Sequence, residues 1–160
     1  MSADQPEPPI LATDGRQSAR AAEISRGCGR LMARYGMRAI SELSLGNGRR
    51  ADLIAVGEDG TIAIIEIKSS LEDFRADRKW PEYREFSDKL YFAVAPGFPQ
   101  NVLPSDTGLI IADRYGGEIV REAPEHKLAP ARRKAMLLRF ARVAAGRLMN
   151  LADPQLGFGE

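Results

Sequence analysis

Cysteine and histidine are almost absent from this sequence of 160 residues, which contains one of each, Cys28 and His126. A single cysteine excludes an intrachain disulfide and a zinc site built from several thiolates. A single histidine excludes histidine-rich metal centres and makes any Ser-His-Asp triad depend on His126. Because a chain without disulfides suits a reducing compartment, we predict a cytoplasmic protein.

Long hydrophobic runs and an excess of charge of one sign are also missing. A membrane-spanning helix needs about 20 consecutive apolar residues, and no stretch approaches that length. The first residues lack the basic region and apolar stretch of a secretory signal, so we expect no membrane association. Hydrophobic residues make up 44% and charged residues 28% of the chain, close to the averages of soluble globular proteins. The net charge of +1 does not by itself indicate a nucleic-acid partner, so the distribution of charge matters more.

The two ends of the chain differ in composition from its centre. Residues 1–12 contain three prolines and no apolar periodicity, and residues 153–160 combine one proline with two glycines. We predict a disordered N-terminal tail over residues 1–12, a loose C-terminal tail over residues 153–160, and one domain over residues 13–152. A chain of this length can bury roughly 70% of its unfolded surface, which is enough for a core.

Apolar periodicity and turn residues divide the domain into helices and strands. Ser70 precedes a helical pattern with acidic residues in its first turn, and Pro81 interrupts that pattern. The order of elements favours an α/β fold with a mixed central β-sheet flanked by helices. The predicted elements are a helix over residues 16–35, strands over 37–45, 50–56 and 61–68, two short helical pieces between 69 and 89, strands over 90–95, 109–112 and 118–121, and a helix over 131–151.

A charged pair ends the most apolar of these strands. Glu66 and Lys68 follow a run of isoleucine and alanine that begins at Ile62, and strand alternation puts the two charged side chains on one face. A Glu-x-Lys triplet is common by chance, so only its position at the end of an apolar strand makes it informative.

The preceding hairpin predicts a second carboxylate beside the first. If residues 58–60 form a three-residue loop with Gly60 in the left-handed conformation, Gly57 pairs with Thr61 and Asp52 falls opposite Glu66. The Cβ atoms of the two acidic residues would then lie roughly 5 Å apart on one face.

Two carboxylates at that separation repel each other unless a cation lies between them, and oxygen ligands suit Mg²⁺ or Mn²⁺. Lys68 could orient or deprotonate a water bound to that metal and could neutralise phosphate charge. This combination indicates phosphodiester hydrolysis. The alternative is that Asp52 caps a strand while Glu66 and Lys68 form an exposed ion pair. Spacing alone leaves both interpretations open.

The spacing of these residues resembles a known superfamily. Asp52, followed after thirteen residues by Glu66-x-Lys68 on an adjacent strand, is similar to the PD-(D/E)XK nucleases, which include restriction enzymes and Holliday-junction resolvases. Longer motifs resemble a narrower family, the MmcB-like DNA-repair endonucleases. These motifs are Gly48-Arg-Arg-Ala-Asp52, Ile65-Glu-Ile-Lys-Ser-Ser70, Asp73-Phe-Arg-Ala-Asp-Arg-Lys-Trp80, Tyr83 and Lys89-Leu-Tyr-Phe-Ala-Val94.

The resemblance implies a restriction-endonuclease-like fold, a role in DNA repair, and Asp52, Glu66 and Lys68 as catalytic residues. It also implies that the carbonyl of Ile67 joins the two carboxylates as a ligand of Mg²⁺ or Mn²⁺. The chain departs from the superfamily motif at Ala51, where the motif has proline.

The resemblance also implies a further catalytic carboxylate, because related folds often add a glutamate from the first helix, and Glu23 is the candidate in this chain. Glu42 on the first strand is a weaker candidate for the same role. The simpler alternative is that Glu23 lies on a solvated face and pairs with Arg20 or Arg26 at helical spacing.

Basic and aromatic residues predict contacts with DNA. At 100° per residue, Arg26, Arg30 and Arg34 share one face of the first helix, where they could bind phosphates. Lys79 and Trp80 could bind an unpaired base by charge and stacking, although Trp80 could instead be a buried anchor. The last helix offers a second basic surface, with Arg132, Arg139, Arg142 and Arg147.

Two functions of different classes fit these observations. The first is a metal-dependent endonuclease that acts on DNA, including structured or damaged DNA. The second is a catalytically silent nuclease-fold module that binds DNA or a repair-protein partner. Intact Asp52, Glu66 and Lys68 favour the first, since a silent module has no need of a repulsive carboxylate pair. A third interpretation, a structural protein with an accidental triplet, requires Asp52 and Glu66 to lie on different faces.

Overall fold

The computed structural model describes residues 18–159, and the predicted tail over residues 1–12 lies outside this range. Within it, the helices and strands follow the order predicted from the sequence. They are α1 (Ala19–Arg34), β1 (Arg38–Ser44), β2 (Arg50–Val56), β3 (Ile62–Lys68), α2 (Leu71–Ala76), a 3₁₀ segment (Trp80–Phe86), β4 (Lys89–Val94), a second 3₁₀ segment (Gln100–Val102), β5 (Gly108–Ala112), β6 (Gly117–Arg121) and α3 (Pro130–Ala152).

The strands form one six-stranded sheet in which spatial order follows chain order, β1-β2-β3-β4-β5-β6. β1, β2 and β3 are antiparallel neighbours, because short turns join them. β4 and β5 are parallel to β3, since α2 and the 3₁₀ segments carry the chain back across the sheet. β6 returns antiparallel to β5. The mixed sheet flanked by helices, expected from the sequence, is confirmed.

α1 covers one face of the sheet. Ile24, Cys28, Leu31 and Met32 are buried there against the apolar side chains of the strands. The approach is closest at Gly27, where a Cβ atom would lie 2.0 Å from the carbonyl oxygen of Asp113, so only glycine fits. This packing fixes α1 across the sheet, with its first turn near the end of β3.

α3 and the first 3₁₀ segment cover the opposite face. Met136 packs there with Tyr83 and Phe86 in a cluster that includes side chains of β1, β2 and β3. Arg133 of α3 binds both carboxylate oxygens of the buried Asp88, each at 2.6 Å. The helix is therefore held by an ion pair as well as by apolar contacts.

The C-terminal segment returns to α3. Residues 153–159, the predicted C-terminal tail, are exposed, and Phe158 exchanges two hydrogen bonds with Asn150, at 2.9 and 3.0 Å. In the part of the chain that the structure describes, no helix is long and apolar enough to cross a membrane.

Candidate active site

A cleft of about 600 Å³ opens at the carboxyl end of β3. α1 contributes Ser18, its N-cap residue, and Ala21 to the wall. The remaining wall comes from β1, the β1–β2 turn, β2, β3, α2 and the first 3₁₀ segment. Its other lining residues are Glu42, Gly48, Arg49, Arg50, Asp52, Glu66, Ile67, Lys68, Ser69, Asp73, Ala76, Asp77, Lys79 and Tyr83.

Asp52 and Glu66 lie side by side in this cleft. The main-chain N–H of Asp52 donates to Oε1 of Glu66 at 3.2 Å, and the N–H of Ile67 donates to Oδ2 of Asp52 at 2.8 Å. The turn has the predicted geometry, since Gly57 N–H donates to the Thr61 carbonyl. The predicted hairpin register is therefore confirmed, and the interpretation that places the two carboxylates on different faces is wrong.

Burial makes the charged forms of both carboxylates costly. Glu66 is only 3% exposed. Burial, and next the repulsion from Asp52, raise the pKa of Glu66 well above its ordinary value. Burial also raises the pKa of Asp52, although the hydrogen bond from Ile67 opposes this effect. Two adjacent carboxylates removed from water are stabilised either by protonation of one of them or by a bound cation.

Lys68 is buried and forms an ion pair with the partly buried Asp77. Its Nζ lies 2.7 Å from Oδ2 of Asp77, and the lysine is 6% exposed. Burial acts to lower the pKa of Lys68, but the hydrogen bond and the charge of Asp77 outweigh it, and the pKa is raised. Lys68 is therefore positively charged at neutral pH. The sequence did not single out Asp77, although this residue lies within the segment from Asp73 to Trp80 that resembles the family.

Glu23 is not among the residues that line the cleft. It is exposed on α1, because the buried positions of that helix, such as Ile24 and Cys28, face the sheet and only the first turn reaches the cleft. The acidic residue that the structure places in the cleft from this part of the chain is Glu42. Its Oε1 lies 3.7 Å from a guanidinium nitrogen of Arg50.

Of the residues predicted to bind DNA, Lys79 lines the cleft. Trp80 is partly buried, with its ring 5.4 Å from that of Phe92 and edge-on to it, and the guanidinium of Arg84 lies 5.5 Å above the Trp80 ring. These contacts favour the interpretation of Trp80 as an anchor of the 3₁₀ segment.

The three arginines of α1 that were predicted to bind phosphates, Arg26, Arg30 and Arg34, lie outside the cleft wall. Arg30 donates to the carbonyl of Tyr115 at 3.1 Å, and Arg34 is exposed in the last turn. Arg26, which is partly buried, lies between Arg30 and the first turn. Because a helix rises 1.5 Å per residue, Arg34 lies about 20 Å along the axis from Ala21. Their contact with DNA stays a prediction.

Arg49 and Arg50 were not among the residues predicted to bind DNA, but both line the cleft, Arg49 in the β1–β2 turn and Arg50 at the start of β2. Nε of Arg49 lies 2.7 Å from Oε2 of Glu82 in the first 3₁₀ segment. The Gly48-Arg-Arg-Ala-Asp52 motif could have identified both arginines, because residues that directly precede Asp52 in the chain lie near it at the cleft.

The oxygen atoms present fit a hard divalent cation. Asp52 and Glu66 are two adjacent, desolvated carboxylates, and Mg²⁺ is commonly held by one or two carboxylates while it keeps several waters. Among residues 18–159, no three Asp, Glu, His or Cys side chains converge to hold a metal. The chain thus supplies a two-carboxylate site rather than a closed protein cage.

The fold and the cleft together define the class of this protein. A mixed six-stranded sheet flanked by helices, with acidic residues and a lysine at neighbouring strand ends, is consistent with a restriction-endonuclease-like α/β protein. The model of one family, described as DNA repair protein MmcB-like, matches residues 8–155. The chain therefore belongs to the MmcB-like DNA repair protein family, which indicates a role in DNA repair.

Among solved structures, the chain is similar to the SPO1766 protein of unknown function from Silicibacter pomeroyi. The two are 44% identical, with a TM-score of 0.84, and the match covers 89% of this chain and 97% of the other. No functionally curated protein matches the chain.

Proposed function

We propose that this protein is an endonuclease that hydrolyses phosphodiester bonds of DNA during repair and requires Mg²⁺ or Mn²⁺. The observation that carries the proposal is the meeting of Asp52, Glu66 and Lys68 in one cleft, with both carboxylates desolvated. In a protein with a purely structural role, such a pair would only destabilise the fold. Family membership supports DNA as the substrate.

Asp52 and Glu66 would hold the metal, together with the carbonyl of Ile67, which also lines the cleft. When bound, a divalent cation neutralises the carboxylate pair, activates a water molecule and stabilises charge that develops on the phosphate.

The basic residues of the cleft have electrostatic roles in this proposal. Because the pKa of Lys68 is raised, its ammonium group is a cation at neutral pH and binds the phosphate rather than abstracting a proton. Lys79 and Arg49, at the rim, bind the neighbouring phosphates of the strand. Tyr83 donates from its hydroxyl to the carbonyl of Arg50 at 3.0 Å, so it fixes the backbone of β2 beside the site.

A catalytically silent module that binds DNA or a repair protein is the second candidate. Two observations favour it: within the described residues no third metal-binding side chain joins Asp52 and Glu66, and Lys68 is already paired with Asp77. Both candidates share the cleft and its basic rim, so they differ in the presence of cleavage and not in DNA binding.

The deciding experiment is incubation of the purified protein with forked, nicked, single-stranded and duplex DNA under Mg²⁺ and under Mn²⁺. We expect cleavage of at least one substrate, abolished in Asp52→Ala, Glu66→Ala and Lys68→Ala with DNA affinity largely retained. Asp59→Asn is the matched control, since Asp59 is a carboxylate of the same hairpin that does not line the cleft. Binding without cleavage of any substrate would favour the silent module, and a Lys68→Ala variant that cuts at the normal rate would refute the proposed mechanism.

A further inference from the structure

One residue of β1 has a backbone conformation that is unusual for its side chain. Glu42 has a φ of +54°, and every other residue with positive φ in the range 18–159 is glycine. This left-handed region is strained for residues with a Cβ atom, and such strain persists only where the surrounding structure holds it, commonly at functional sites. The conformation of Glu42 therefore requires an explanation.

The sheet register places Glu42 in line with the carboxylate pair. The residue pairs on either side of it in the β1–β2 ladder put Glu42 opposite Asp52, and the β2–β3 register puts Asp52 opposite Glu66. All three residues line the same cleft. Three acidic residues thus occupy one row across three adjacent strands.

The strained backbone of Glu42 is held by a side chain of α3. Arg147 of α3 donates to the carbonyl of Ser41 and, at 3.0 Å, to the carbonyl of Glu42. Ile40 and Leu43 both belong to the apolar cluster on the α3 side, although regular alternation would put residues three apart on opposite faces. The strand therefore changes its alternation at Glu42, where Arg147 binds the carbonyls.

We propose that Glu42 is a further acidic group of the active site and that Arg147 is a positioning residue that holds it there. This inference rests on the proposed metal-dependent nuclease function. No three potential metal-binding side chains converge among the described residues, so Glu42 would support the two metal-binding carboxylates from outside the direct ligand set. The guanidinium group of Arg50 partly balances the charge of Glu42.

A purely structural role for Arg147, as a link between α3 and β1, is the competing explanation. Arg139 provides a matched comparison, because it extends from the same helix and donates to a carbonyl of the same strand, that of Ser44. Ser44 does not line the cleft. Replacement of Arg139 removes an equivalent link between helix and strand without releasing Glu42.

The test compares Glu42→Gly, Arg147→Met, the double variant and Arg139→Met in the full chain. The melting temperature is measured without metal, and the Mn²⁺ dissociation constant is measured by titration calorimetry. Glycine accepts positive φ without strain, so we expect Glu42→Gly to melt about 2 to 4 °C higher than the wild type. We expect its Mn²⁺ dissociation constant to rise about 10-fold, the effect of losing a group just outside the metal ligands.

Arg147→Met should weaken Mn²⁺ binding by a similar factor, and the double variant should bind no more weakly than Glu42→Gly, because Arg147 acts through Glu42. Arg139→Met should stay within about twofold of the wild type. Normal Mn²⁺ binding by Arg147→Met, additive effects in the double variant, or a lower melting temperature for Glu42→Gly would overturn the inference. A wild type that does not bind Mn²⁺ would overturn the proposed function as well, whereas a wild type that binds Mn²⁺ beside an unaffected Arg147→Met would leave that function standing.

Discussion

The ammonium group of Lys68 lies 2.7 Å from Oδ2 of Asp77, and both residues line the cleft. Asp77 is itself fixed, because its Oδ1 accepts hydrogen bonds from the main-chain N–H groups of Lys79 and Trp80. The segment that follows α2 thus determines both the position and the charge of the lysine. Lys68 and Asp77 lie nine residues apart in the chain and act as one unit in the fold.

Replacing Asp77 by asparagine should reduce cleavage and change its pH dependence. Asp77 raises the pKa of Lys68 against the opposing effect of burial, so its removal lowers that pKa. If cleavage needs charged Lys68, the fall in activity at high pH should move to lower pH in Asp77→Asn, with a rate at neutral pH reduced about 10-fold. Rates measured from about pH 6 to 10 test this. Glu82→Gln, which breaks the exposed pair with Arg49, should leave the alkaline limb in place. If the pH dependence of cleavage by Asp77→Asn is the same as that of the wild type, the charge of Lys68 is not needed for cleavage.

Glu66→Gln should stabilise the metal-free protein at neutral and higher pH. Burial raises the pKa of Glu66, so between its unfolded and folded pKa values the folded state binds more protons than the unfolded state. Wild-type stability must then fall as pH rises from about 4 through the raised folded pKa. Glutamine removes this loss and keeps an oxygen that can accept from the Asp52 N–H. Urea unfolding should show the variant more stable at about pH 8 by roughly 1 to 2 kcal/mol and nearly equal at about pH 3.5.

Added Mn²⁺ should make the wild type more stable than Glu66→Gln. Wild type gains about 2.7 kcal/mol at a hundredfold excess of metal over its dissociation constant, while Glu66→Gln gains little because it lacks one of the two charged ligands. A wild type that responds to neither pH nor metal in this way would show that the carboxylates carry no electrostatic cost.

Asp88→Asn should destabilise the fold through a separate ion pair. Asp88 accepts two hydrogen bonds from Arg133 and one each from the N–H groups of Ile62 and Leu128, and although burial opposes them, they lower its pKa to about 2. This stability is present above the unfolded pKa near 4 and is lost as pH falls through about 2.

We expect Asp88→Asn to be less stable by roughly 2 to 3 kcal/mol at about pH 7, with the difference shrinking between about pH 4 and pH 2. Denaturant unfolding at neutral pH and at about pH 2.5 measures it. Asp106→Asn is the control, because the pair of Asp106 with Arg84 is mostly exposed and should contribute less than about 0.5 kcal/mol. Equal destabilisation of the two variants at neutral pH would contradict a special role for the buried pair.

DNA binding should weaken steeply with salt, with two surfaces contributing. Removal of one phosphate-binding charge flattens the slope of log affinity against log salt by up to about one unit. We expect Arg49→Gln with Lys79→Gln to flatten the slope by up to about two units, because both residues lie at the cleft. Replacing Arg26, Arg30 and Arg34 together should flatten it by up to about three units if the phosphates follow α1. Anisotropy titrations of a short DNA duplex at several salt concentrations measure both. An unchanged slope in the triple variant would identify that face as solvated only.

The carboxylate pair was predictable because hairpin geometry is local. The two glycines of the turn fix the loop length, the loop fixes the register, and the register places Asp52 beside Glu66. β1 departs from regular alternation, since its side chains change face at Glu42. Glu23, the helix candidate, does not line the cleft. Helical periodicity shows which face of α1 is buried, but it does not show which turn of the helix reaches the cleft.

The sequence by itself determined the order of the elements, the register of the β2–β3 hairpin and the residues of the acidic pair, because each depends on periodicity or turn chemistry within a few residues. Tertiary structure decided which other groups reach the cleft. Asp77 forms an ion pair with Lys68. Arg147 donates to the carbonyl of Glu42, 105 residues away in the sequence. Arg133 forms an ion pair with Asp88, 45 residues away. These contacts depend on how α2 and α3 pack against the sheet. Packing of that kind follows from the summed burial of many side chains, which no short motif specifies.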